Sequence, residues 1–179
     1  QWEEAGEVDN LHTHGGYITN HATASVTSGT SVSVDVATGG ADRYILLFVG
    51  TRKTSSHRTT DSATFGGSAM SKLRTAGTDG TDDNIVTVFG IADPAVGTAS
   101  AVANFSGDMS GGFATAIVLA LNNVSSVVSG GTSNNDSDDT ASQTSSITVT
   151  IGDVGFDMAF VDDGSVTVNA GTGNTQIRS

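Results

Sequence analysis

The residues with most chemical scope in this sequence are few, and they fall in clusters. His12-Thr13-His14 sets two imidazoles two positions apart, with His21 nearby. On extended backbone, residues i and i+2 point to one side, so His12 and His14 can share a transition metal through ring nitrogens. No acidic ligand is fixed beside them by the pattern. The expectation is therefore imidazoles that pack or hydrogen-bond, with a metal site as the alternative. Asp79, Asp82 and Asp83 make one oxygen-rich loop, and Asn134, Asn135, Asp136, Asp138 and Asp139 make another. Ca2+ takes about six to eight oxygens from loops of this kind. Neither stretch has the D-x-D-x-D-G spacing with a closing Glu. Solvated turns are expected, Ca2+ is the alternative, and no resident cofactor is implied.

Catalytic constellations find little support. Ser and Asp are abundant, but no G-x-S-x-G elbow is present to present a serine nucleophile. His57, beside Arg58, is expected to face solvent. Paired carboxylates of the glycosidase kind need buried acids. The only glutamates, Glu3, Glu4 and Glu7, lie in the first seven residues. Asp157 interrupts an apolar strand pattern on a side shared with Gly155 and Ala159, which reads as outward. The absence of cysteine excludes disulfides, thiol catalysis and cysteine-based zinc sites. The reading is of a protein that is not an enzyme. Sugar binding wants aromatic platforms, and Trp2, Tyr17 and Tyr44 are scattered. Phe65, Phe89, Phe105, Phe113, Phe156 and Phe160 read as core. Asn104, Asn123 and Asn135 open N-x-[ST] sequons, which matter only in a glycosylating host.

The elements that must position these residues are strands. Apolar residues make up 36% and charged residues 15%, both low for a globular chain, so the core has to come from small and β-branched side chains. Glycine occurs 23 times and proline once, and the glycines fall between apolar runs, where turns need positive φ. Alternating or continuous apolar stretches occur at 24–27, 31–36, 43–50, 63–65, 69–74, 85–92, 99–105, 113–121, 146–151, 154–161 and 165–168. Turn signals recur about every ten residues, the spacing of an antiparallel β-sandwich of about ten strands. Asp93-Pro94 ends one strand because proline removes a ladder donor, and a short helical turn is expected near 93–97. FATAIVLAL, Phe113 to Leu121, fits a helix by periodicity alone; its flanking glycines and β-rich surroundings decide for a buried strand. At nine residues it is too short to span a bilayer as a helix.

Residues 1–20 differ in texture. They hold all three glutamates, the only Trp and no clear period. They read as an acidic extended arm that docks through Trp2, Leu11 and Tyr17, followed by a sandwich domain over 21–179. The formal net charge of −12 and pI near 4.3 argue against nucleic acid and anionic membranes as partners. The sequence opens on Gln1 with no signal-peptide pattern, which is expected of a processed chain or one lacking its true start.

The run RYILLFVG, then Phe65-Gly66-Gly67-Ser68-Ala69-Met70, then Asp93-Pro94-Ala95-Val96-Gly97-Thr98-Ala99, and later Gly152-Asp153 before a strand, resembles a β-sandwich (jelly-roll or immunoglobulin-like) domain type of bacterial secreted proteins and phage virion structural proteins. The resemblance covers about residues 22–177. It rests on structural turns, implies fold and setting, and carries no catalytic residues. Domains of that type usually continue past a stretch like Gly171 to Gln176 into further strands. The resemblance therefore implies either a truncated chain or a sandwich whose missing strand comes from a neighbouring subunit or from the arm. The functional expectation is a structural protein on the exterior of an assembly: a phage capsid decoration or fibre protein, or an extracellular filament subunit. Its partners would be copies of itself or a major capsid or filament protein, at a virion surface or outside a cell. The alternative is a ligand- or carbohydrate-binding adhesive module of a secreted bacterial protein.

Overall fold

The computed structural model describes residues 17–53, 56–77, 84–124 and Val127. Nine strands account for most of them: β1 Tyr17–Val26, β2 Ser31–Thr38, β3 Tyr44–Arg52, β4 Thr60–Phe65, β5 Ser68–Ala69, β6 Ser71–Ala76, β7 Asn84–Ala92, β8 Gly97–Phe105 and β9 Phe113–Asn122. No helix occurs among the described residues. The strands form two antiparallel sheets, β1-β9-β3-β7-β6 and β2-β8-β4-β5, so the chain is an all-β sandwich.

The pairing explains how one chain makes both sheets. β1 pairs with β9, β2 with β8, β3 with β7 and β4 with β5. These pairs are nested, as in one long hairpin. Folding that hairpin over brings β3 beside β9 and β4 beside β8, and the strand order is that of a jelly roll. β6 adds a fifth strand outside β7. The nested pairs are complete at Asn122.

Burial follows the residue pattern strand by strand. β2 alternates perfectly, with Val32, Val34 and Val36 buried and Ser31, Ser33 and Asp35 exposed. That is a strand with one wet face. β3 and β9 are buried on both faces. Ile45, Leu47 and Val49 of β3, with Val118 and three alanines of β9, point between the sheets and meet the valines of β2, Ala101 and Ala103 of β8, and Phe65. The alanines take little room between the sheets, and Phe65, Phe89, Phe105 and Met109 supply the bulk of the same core. On the opposite side of the same sheet, Leu46, Phe48, Leu119 and Leu121 form a second apolar cluster.

Several expectations from the sequence need correction. β1 begins at Tyr17, inside the stretch read as an arm. The register slips between Ile18 and Asn20, and that bulge breaks the period-2 signal which would have revealed the strand. The run 69–74 is not one strand. Met70 is a buried corner whose N–H donates to the Ala63 carbonyl at 2.9 Å, and there the chain passes from β5 in one sheet to β6 in the other. The 93–97 connection is a non-helical turn in which Asp93 takes φ 48° and Gly97 φ 122°. Phe113, read as core, is 37% exposed because it opens β9 at the sheet's end, opposite Arg52. The strands expected at 146–151, 154–161 and 165–168 lie outside the described residues.

Candidate functional site

Loops gather at the two ends of the roll. One end collects the connections β1–β2, β3–β4 and β8–β9, and there the loop read as Asp79, Asp82 and Asp83 leaves at Gly77 and returns at Asn84. Asp108 organises this end. Its carboxylate accepts hydrogen bonds from the Gly29 N–H at 2.7 Å, the Ser110 N–H at 3.0 Å and the Ser110 hydroxyl at 2.8 Å. The Ser110 hydroxyl, then the Ser110 and Gly29 amides, hold its pKa below the ordinary carboxylate value. Its carbonyl accepts from Lys53 Nζ at 2.7 Å and Arg58 Nε at 3.3 Å. Met109 then turns inward and is fully buried under the loop.

This clasp consumes the groups that might otherwise react. A carboxylate saturated by three donors and held ionised is a poor general base and a good anchor. The Asp108-x-Ser110 spacing, an Asx-type turn, was its signal in the sequence. Thr51, buried in β3, donates to the Arg58 carbonyl at 2.7 Å and ties the β3–β4 loop to the sheet. His57, expected to face solvent, is half-buried in that loop. Arg52, Lys53 and Arg58 bring three of the chain's seven Lys and Arg to this end.

At the other end, Arg43 fastens the β2–β3 and β7–β8 turns, donating from Nε to the Pro94 carbonyl at 2.8 Å and from Nη1 to the Gly40 carbonyl at 2.6 Å. Beside it lies a cleft of about 280 Å³ between Phe65, Ile91, Asp93 and Pro94. Among the described residues that line it, Asp93 is the one titratable side chain.

Of the residues singled out from the sequence, Tyr17 is described: it is 45% exposed at the start of β1 and packs into no core cluster. His21 is exposed on the same strand. Trp2, Leu11, His12, His14, Asp79, Asp82, Asp83, Asp136, Asp138 and Asp139 lie outside the described residues. Among the described residues no three His, Asp or Glu side chains converge to hold a metal, and no helix is long and apolar enough to cross a membrane. The charge also divides unevenly. Six of the seven Lys and Arg, but only five of the nineteen Asp and Glu, fall on the described residues. The described residues taken by themselves are thus nearly neutral. No family model matches this chain, and no significant match to a curated protein or a solved structure was found.

Proposed function

We propose that this chain is a non-enzymatic structural protein of an exterior assembly, of the capsid-decoration, fibre or filament-subunit kind, that joins copies of itself or a major capsid or filament protein through the edge of β1 and the residues before it. The observation that carries this reading is β1 itself. It runs for ten residues, Tyr17–Val26, and among the described residues it pairs with β9 alone. Proteins blunt such edges with lysine, proline or inward charges. The strand YITNHATASV has none of these, and among the described residues the bulge near Thr19 is its one irregularity. Tyr17 and Ile18 stand exposed at its start, beside the acidic residues 1–16. An open edge of this length suits strand addition from a second chain, in which backbone hydrogen bonds give affinity and alternate side chains give selectivity. The jelly-roll order and the sequence resemblance support a virion-surface or extracellular setting.

Native mass measurement tests the reading on the full chain and on a His21→Lys, Thr23→Lys variant, whose new charges lie on exposed positions of β1. The expected result is a discrete oligomer, or co-assembly with virions or filaments, that the double variant loses while its melting temperature stays within about 2 °C. A chain that is monomeric at every concentration, attaches to no particle and binds a glycan would point instead to an adhesive module.

A further inference from the structure

Among the described residues four strands end a sheet: β1 and β6 in one, β2 and β5 in the other. Three of them carry a guard against pairing with another chain. β6 holds Lys72 and Arg74 around a bulge. β5 is two residues long. β2 has Asp35 near its middle, so a second β2 laid antiparallel against it would bring two carboxylates together. β1 has no Lys, Arg, Asp or Glu in its ten residues. Its inward side is also incompletely covered. Ala22, Ala24 and Val26 pack against the core and are half-buried, whereas Val118, Ala116 and Ala114, directly opposite them on β9, are fully buried. His21, Thr23 and Ser25, on the other side of the strand, are exposed.

On the reading that β1 is an assembly edge, we propose that its partner is a second copy of this chain, added β1 to β1 and antiparallel, across a two-fold axis that stands normal to the sheet and passes through Thr23. The direction follows from the two faces of the strand. An axis normal to the sheet makes the paired strands antiparallel and keeps both inward faces on one side. Ala22 and Ala24 of each copy then meet, and each covers what the other leaves half-buried. A parallel two-fold pair would turn one copy over and set those alanines beside the polar His21, Thr23 and Ser25 side of the other. The register follows from the bulge. Regular pairing of β1 runs from Asn20 to Val26, and its midpoint is Thr23. Overlap of that whole stretch sets Thr23 opposite Thr23, Ala22 opposite Ala24 and His21 opposite Ser25. Opposed residues share a side, no like charges face one another, and Thr–Thr is a favourable cross-strand pair. A slip of one residue would turn one copy's alanines outward. A contact built on so short a stretch buries less than the roughly 1,200 Å² of a standard interface, so the dimer should dissociate on the order of 10 µM.

The test uses the full chain. Sedimentation from about 1 µM to 1 mM should show a monomer–dimer equilibrium. Amide exchange along β1 should slow as concentration rises. Because the chain has no cysteine, a Thr23→Cys variant gives one thiol per copy. Under mild oxidation it should form an interchain disulfide at least about tenfold faster than Ser33→Cys, an exposed reference on β2. An equal mixture of His21→Cys and Ser25→Cys should give the mixed disulfide in preference to either self-linked product. Linkage at 23 no faster than at 33, or a preference for 21–21 and 25–25 links, overturns the two-fold pairing. So does exchange that is slow at every concentration, which would mean that another part of the same chain already lies along the edge. A chain that stays monomeric but attaches to virions or filaments, and loses that attachment in the His21→Lys, Thr23→Lys variant, overturns self-pairing and leaves the assembly reading standing. A monomer that attaches to nothing removes both.

Discussion

Gly90 and Tyr44 form a contact whose strength can be measured. The two strands pair with Leu46 opposite Gly90, and the Tyr44 ring lies over the glycine on the outer face. A Cβ at position 90 would meet the ring Oη, and would stand 2.8 Å from Cε1 and 2.9 Å from Cζ. Those distances are well inside van der Waals contact, so Gly90→Val must swing the ring away. A tyrosine can bury about 150–250 Å², and Tyr44 is half-buried, so displacement forfeits about 2 kcal/mol at ~25 cal/mol/Å². Against this, a glycine within a strand costs roughly 0.5–1 kcal/mol, which a β-branched residue recovers. The net expectation for Gly90→Val is a loss of about 1–2 kcal/mol, or a melting temperature lower by about 3–6 °C. In a Tyr44→Ala background the clash is absent, and the same substitution should stabilise by up to about 1 kcal/mol. The coupling, about 2–3 kcal/mol, is read from urea denaturation of the four proteins in a double-mutant cycle. A second readout is the phenol itself. Burial raises the Tyr44 pKa, so Gly90→Val should return it toward its ordinary value. Equal effects of Gly90→Val in both backgrounds would refute the idea that the ring occupies the glycine's space.

The remaining predictions concern the clasp and the core. Asp108 has a lowered pKa, so its contribution to stability is complete above the ordinary carboxylate value and is lost as pH falls through the lowered one. Asp108→Asn should therefore melt at a lower temperature than the parent at neutral pH and close that gap in strong acid, which thermal melts across the acid range will show. Thr51→Val removes the hydroxyl that donates to the Arg58 carbonyl and should cost about 1–2 kcal/mol by denaturant titration, with faster amide exchange in the β3–β4 loop. Leu47→Ala, at a fully buried position, should cost about 2–5 kcal/mol. Ala116→Leu, where the sheets approach over β9's alanines, should cost about 1–3 kcal/mol through overpacking.

Much of the fold was legible because strand burial writes itself into local pattern. The valines of β2 alternate with Ser and Asp, one face in and one face out, and no distant information was needed to read them. RYILLFVG and FATAIVLAL are apolar apart from Arg43 and Thr115, which points to strands covered on both sides. Three features were hidden. The bulge near Thr19 erased the period of β1's beginning. Met70 looks like the middle of a strand because nothing in its own neighbourhood says that the next residue joins another sheet. The Asp108 clasp draws its donors from Gly29 and Ser110, and Gly29 is distant along the chain. Sequence by itself therefore determined the class of structure, the buried face of β2 and the double burial of β3 and β9. Only the folded chain decided which strands are neighbours, where the free edge lies and which loops meet. Periodicity is a property of a few adjacent residues, whereas pairing across nearly a hundred intervening residues, as between β1 and β9, is settled by whole-sheet packing that no local stretch records.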